Sequence, residues 1–144
     1  MKAIPLPRME ETSFTASISG LMDMAKILII DNDNDICQII SEILREEGHS
    51  VDAVYDGEAG LETIRRLVYD LVILDYKLPG IGGIKVLEEA RGIRTALRAV
   101  MISAYGNAAI KSRAKELNAY AFLAKPFEMA ALASVVKEAL AIAA

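Results

Sequence analysis

From Lys26 onward, short unbroken apolar runs alternate with longer stretches in which apolar residues return every three or four positions. The first spacing suits strands buried on both faces, and the second suits amphipathic helices. Lys26–Ile30 reads as a first strand. Ile36, Ile40, Ile43 and Leu44 mark a helix behind it, with Gly48 where a left-handed C-terminal cap belongs. Val51, Ala53 and Tyr55 alternate as a second strand, and Asp56 is placed to cap a helix striped by Ala59, Leu61, Ile64 and Leu67. Leu71–Leu74 is a third strand, and Ile84, Leu87 and Ala90 line a third helix that Gly92 is expected to end. Ala99–Ile102, Ala109–Leu117 and Tyr120–Ala124 follow as strand, helix and strand. A last helix turns Met129, Leu132, Val135, Val136, Ala139 and Leu140 inward.

Five strand–helix units in succession predict the α/β class, a parallel sheet covered on both faces by right-handed crossovers. The periodicity leaves strand order open. Residues 1–24 do not share it. Pro5, Pro7 and the Ser/Thr-rich Thr12–Ser19 predict a poorly ordered extension, with a short helix over Ile18, Leu21 and Met22 as the alternative. One domain is expected over residues 25–144.

Composition narrows the classes of function. The 144 residues suffice for one well-cored domain and are too few for two ordinary ones. No apolar run approaches the roughly 18–20 residues that span a bilayer, and Glu10 and Glu11 interrupt any leader-like segment, so no membrane partner is expected. A net charge of -4 argues against binding nucleic acid through phosphate neutralisation. The single cysteine, Cys37, excludes an internal disulfide and fits a cytoplasmic location; its place beside apolar helix positions reads as core. His49, the only histidine, reads as a surface-loop residue.

The chemistry gathers at the strand ends. Asp31, Asn32 and Asp33 follow the first strand, Asp75 the third, Ser103 the fourth, and Lys125-Pro126-Phe127 the fifth. A parallel sheet brings these ends to one edge, where open α/β sheets hold their ligands. Two carboxylates about 4 Å apart repel by roughly 4 kcal/mol at an effective dielectric near 20, which raised pKa values or a cation must relieve. Oxygen ligands without nearby His or Cys favour Mg²⁺. An aspartate so placed can attack a phosphoryl group to give an acyl phosphate, with Lys125 and the Ser103 hydroxyl facing the transferred oxygens. Asp33 and Asn34 are candidates both for this site and for capping the first helix.

These residues carry a family resemblance over about residues 25–142. Ile27-Leu-Ile-Ile-Asp31, Leu71-Val-Ile-Leu-Asp75 with Pro79 and Gly83, Met101-Ile-Ser103-Ala-Tyr-Gly106 and Phe122-Leu-Ala-Lys125-Pro-Phe127, in this order, resemble the receiver domain of two-component response regulators. The stretch near the last helix resembles that of the single-domain members, including those that relay phosphate in sporulation-type pathways. The resemblance implies a doubly wound, flavodoxin-like three-layer fold with a five-stranded sheet in the order 2-1-3-4-5. It implies that Asp75 accepts a phosphoryl group from a phosphohistidine on a sensor histidine kinase or histidine phosphotransfer protein. Mg²⁺ would be held by Asp31, Asp75, the residue at position 32 and the Lys77 backbone carbonyl. Ser103 and Phe122 would form the switch, Lys125 would pair with Asp75, and Lys125–Pro126 would be cis. A downstream protein would read the face of the fourth helix, fifth strand and last helix, where Lys111, Tyr105 and Tyr120 are expected. Such a domain is a phosphoacceptor with self-dephosphorylation rather than a turnover enzyme.

One position departs from the family. Asn32 stands where a second acidic residue usually ligates Mg²⁺ directly, which predicts weaker metal binding unless Asp33 compensates. It also leaves open a degenerate receiver that works without phosphate. A haloacid-dehalogenase-like phosphohydrolase using Asp31 and Asp33 is the rival from another class, disfavoured because no Asp follows Asp75. A flavodoxin-like electron carrier is weaker still, since the acidic loop would repel a flavin phosphate.

Overall fold

The structure is a computed structural model that describes residues 24–141. The expectations for the N-terminal extension therefore fall outside the described residues, except at Met24. Five strands, β1 (Lys26–Ile30), β2 (Ser50–Val54), β3 (Leu71–Asp75), β4 (Ala99–Ser103) and β5 (Ala121–Ala124), pair in parallel in the order β2-β1-β3-β4-β5. Five helices connect and close them: α1 (Asn34–Glu46), α2 (Gly57–Arg66), α3 (Gly83–Ile93), α4 (Ala108–Glu116) and α5 (Met129–Ala141). The α/β class and the strand order agree with expectation.

Alternation along the strands divides the core. Leu28, Ile30, Val72, Leu74, Ala99 and Met101 face one layer with α2, α3 and the inner side of α4. Ile27, Ile29, Leu71, Ile73, Val100 and Ile102 face the other with α1 and α5. Every residue of β3 and β4 is buried, so their apolar runs are continuous rather than alternating.

Local chemistry sets the element ends. Asp56 Oδ1 accepts from the Ala59 N–H at 2.7 Å and starts α2. Gly48 adopts φ +98° after α1, and the N–H groups of Gly48 and His49 return to the carbonyls of Arg45 and Leu44. Three expectations at element ends are corrected. Gly92 lies inside α3, which continues to Ile93. Tyr55 lies past the end of β2 and is exposed, and Leu67 lies past α2 with 45% exposure, each having no helix or strand layer over it.

Candidate functional site

The sheet register delivers the expected side chains to one edge. The Asp31 N–H donates to the Val54 carbonyl at 3.1 Å, the Tyr76 N–H to Ile102 at 2.8 Å, and the Lys125 N–H to Ser103 at 2.7 Å. Asp75 and Ser103 are the last residues of β3 and β4, and Asp31 and Lys125 come directly after β1 and β5. Gly83 makes the β3–α3 connection possible: its N–H donates to the Tyr76 carbonyl at 2.7 Å, and any Cβ there would overlap the Asp75 carbonyl oxygen.

Lys125 is the centre of the cluster. Its Nζ stands 2.9 Å from Asp31 Oδ2 and 3.4 Å from Asp75 Oδ2, and both carboxylates are nearly buried. One cation between two anions leaves an excess negative charge in a desolvated pocket. The expected pairing of Lys125 with Asp75 is present, but the shorter contact is to Asp31. Burial first, and the Asp31 charge second, push the Asp75 carboxyl up to about 6, while Lys125 and the Lys77 backbone amide pull the other way. Burial disfavours the Lys125 ammonium, yet the hydrogen bond and charge of Asp31, joined by Asp75, raise its pKa overall.

The acidic loop divides its tasks. Asp31 Oδ1 accepts from the Asp33 N–H at 2.9 Å. Asp33 Oδ1 accepts from the N–H groups of Asp35 at 2.9 Å and Ile36 at 3.2 Å, so Asp33 caps α1. One oxygen of that carboxylate is thereby committed to the helix terminus, which answers the capping question. Asn32 lies exposed between Asp31 and Asp33.

For a metal, the donors in place are the Asp31 and Asp75 carboxylates, with the Asn32 amide and the Lys77 carbonyl on the adjoining loops. Among the described residues no three His, Cys, Asp or Glu side chains form a metal-holding group. Two carboxylates completed by neutral oxygens suit a hard, partly hydrated cation such as Mg²⁺, and the excess negative charge beside Lys125 favours one. The residues fit the ion.

The Ser103 hydroxyl is fully buried and closed into a local turn: Oγ accepts from the Tyr105 N–H at 2.7 Å and donates to the Tyr105 carbonyl at 3.1 Å. Phe122 is half-buried against the α2–α3–α4 layer, with Lys111 Nζ 5.9 Å from its ring centroid. Tyr105 corrects an expectation. It turns toward β3 and not toward β5, with its ring 6.5 Å from that of Tyr76 and Lys77 Nζ 5.0 Å above it. Hydrophobic pattern could not reveal this pairing, although the Ser-x-Tyr spacing does signal a hydroxyl turn. Tyr120 keeps its expected exposure beside α5, where its hydroxyl meets Glu138 at 3.3 Å. The Lys125–Pro126 peptide bond is cis.

Two residues set aside from the site have structural partners. Cys37 Sγ donates to the Asp31 carbonyl at 3.3 Å, and burial, with Asp31 and Asp33 nearby, pushes its thiol up to about 11, leaving it unreactive. His49 is buried rather than a surface-loop residue, because its Nδ1 accepts from the Ala25 N–H at 3.1 Å and ties the entry of β1 to the end of α1.

Comparison with known proteins gives a consistent set of likenesses. The family model described as the response regulator receiver domain matches residues 27–137. Sporulation initiation phosphotransferase F of Bacillus subtilis is 33% identical over 113 residues, covering 78% of this chain and 91% of the relative. The transcriptional regulatory protein DltR of Streptococcus agalactiae is 34% identical over 105 residues, which cover 72% of this chain but only 46% of that protein. A CheY-like response regulator receiver domain protein from Methanospirillum hungatei superposes with a TM-score of 0.79 at 29% identity, covering 81% of this chain and 94% of the other.

Proposed function

This chain belongs to the response regulator receiver domain family, phosphoacceptor modules of two-component signalling, and we propose that Asp75 is its phosphoacceptor. The observation that carries the proposal is the Asp31–Lys125–Asp75 arrangement, one ammonium between two buried carboxylates at the C-terminal sheet edge. A carboxylate raised to about 6 by burial is ionised at neutral pH and weakly solvated, as a nucleophile should be. Its oxygen attacks the phosphorus of a phosphohistidine on a histidine kinase or phosphotransfer protein. The P–N pair leaves with the imidazole, which takes up a proton, and an acyl phosphate remains on Asp75. Lys125 then faces the phosphoryl oxygens, and Ser103 reaches them by leaving its turn. Receiver domains bind Mg²⁺ at this acidic pocket, and here Asp31, Asp75, Asn32 and the Lys77 carbonyl would hold it, the ion supplying positive charge to the transferred oxygens.

Phosphorylation adds about -1.5 to -2 charge and biases two states of the α4–β5–α5 face through Ser103 and Phe122. Hydrolysis of the acyl phosphate returns the domain to rest. The N-terminal residues 1–24 are assigned to an extension outside the receiver. Among the described residues no helix is long and apolar enough to cross a membrane, and a cytoplasmic partner kinase domain suits this chemistry. Asn32 favours a second reading, an interaction module that works without phosphate.

Borohydride reduction after acetyl phosphate treatment separates the two. An acyl phosphate is reduced to an alcohol, so peptide mapping should find homoserine at position 75. Label on another residue, or on none at saturating Mg²⁺, would favour the second reading.

A further inference from the structure

A groove of about 690 Å³ runs between α3 and α4 and ends beside the phosphoacceptor loops. Leu78, Ile84, Ala109 and Ile110 give it an apolar lining, and Tyr76 and Tyr105 close the end nearest Asp75. Its charged lining residues are Lys77, Lys85 and Arg113, with no carboxylate among them. Glu88 outside the lining neutralises two of these, Arg113 at 2.9 Å and Lys85 at 3.4 Å. Lys77 has no ion pair among the described residues; its ammonium rests over the Tyr105 ring and 3.4 Å from that hydroxyl.

We propose that this groove docks an acidic amphipathic segment of a partner protein, and that docking is coupled to Asp75 through Tyr105. The walls have the right length: at 11 and 9 residues, α3 and α4 offer roughly 14–17 Å, two to three turns of a docked helix. Apolar anchors at i, i+3 or i+4, and i+7 would meet Ile84 and Ile110, and a carboxylate at one end would meet Lys77. This surface lies on the flank of α4 opposite the α4–β5–α5 face.

The coupling follows from shared atoms. Ser103 Oγ holds the Tyr105 backbone by both its N–H and its carbonyl, so turning Oγ toward a phosphoryl group on Asp75 releases Tyr105. Tyr105 and Lys77 are also groove wall. The groove therefore has two shapes, one for each state of Ser103, and a segment that prefers one shape shifts the other site by the same factor. This half of the proposal rests on the phosphoacceptor reading.

A random 12-residue peptide library displayed on phage, selected against the full chain, supplies the probe. Recovered peptides should combine acidic and apolar residues, and their synthetic forms should shift amide resonances of Ile84, Ala109 and Ile110. Lys77→Glu or Ala109→Arg should each weaken them at least about tenfold. Ala109→Arg should leave adduct formation at Asp75 unchanged, which shows that the variant is folded. Beryllofluoride should change the wild-type affinity by about fivefold or more. Failure to recover a binder overturns the docking proposal, as do peptides without acidic residues and shifts that map elsewhere. Direct binding of a nucleoside triphosphate in the groove, with no peptide binder recovered, would assign it to a small anion and also overturn the proposal. If beryllofluoride shifts the neighbours of Asp75 and the affinity stays constant, the coupling is wrong. If beryllofluoride shifts nothing, the phosphoacceptor reading fails together with the coupling, and the docking half is judged on its own variants.

Discussion

At the residue scale, position 32 and position 75 decide how the site is charged. Asn32 can offer an oxygen to Mg²⁺ but no charge, and Asp33 is held by the α1 N-terminus at 2.9 and 3.2 Å. Asn32→Asp should therefore tighten Mg²⁺ by roughly tenfold, read by a metal titration of site resonances; an unchanged midpoint would remove position 32 from the metal site. Asp75 gives a pH dependence with a definite sign. Its carboxyl rises from 3.8 to about 6 on folding, so the folded state binds the proton more tightly than the unfolded chain. Stability is then highest below pH 4 as far as this group is concerned, and is lost as pH rises through 4 to 6. Asp75→Asn removes that cost and should stabilise the metal-free protein at pH 7 by about 3 kcal/mol, with little gain near pH 4. Equal effects at both pH values in urea melts would mean that Asp75 is not ionised at a cost. That Asp31, Asp75, Ser103 and Lys125 meet at one sheet edge was legible in the sequence because each sits at the end of an apolar run. The task of Asp33 was not, since capping and metal ligation use the same carboxylate.

At the element scale, connections matter as much as strands. The β3–α3 loop closes only because Gly83 lets its backbone pass against the Asp75 carbonyl. Gly83→Ala should cost at least about 2 kcal/mol in denaturant unfolding, since the obstacle is backbone and no side chain can move aside. A silent substitution would show that the loop is loosely placed. A second device joins α3 to the end of α4: Arg91 donates to the carbonyls of Leu117 at 2.8 Å, Asn118 at 2.6 Å and Leu97. These contacts fix the C-terminal end of α4 and leave its N-terminal end, next to Tyr105, as the end that can respond to Ser103. Period alone placed all ten elements with small end shifts, the stop of α3 among them. Gly92 carries no positive φ, and the helix ends one residue later by backbone geometry that composition does not announce. The orientation of Tyr105 toward Lys77 is likewise a tertiary choice.

At the scale of the whole molecule, the fold separates its two ends. One sheet edge carries Asp31, Asp75, Ser103 and Lys125, while the opposite edge carries structural contacts such as His49 to Ala25 and Asp70 to Lys26. The chain covers nearly the full length of one phosphorelay relative and about half of a transcriptional one, so the receiver chemistry is shared by proteins with different outputs. The most direct measurement is intact mass after acetyl phosphate and Mg²⁺, on the wild-type chain and on Asp75→Asn. The account predicts one phosphoryl adduct on the wild type and none on Asp75→Asn. An adduct that survives the substitution, or no adduct on the wild type at any Mg²⁺ concentration, would contradict it.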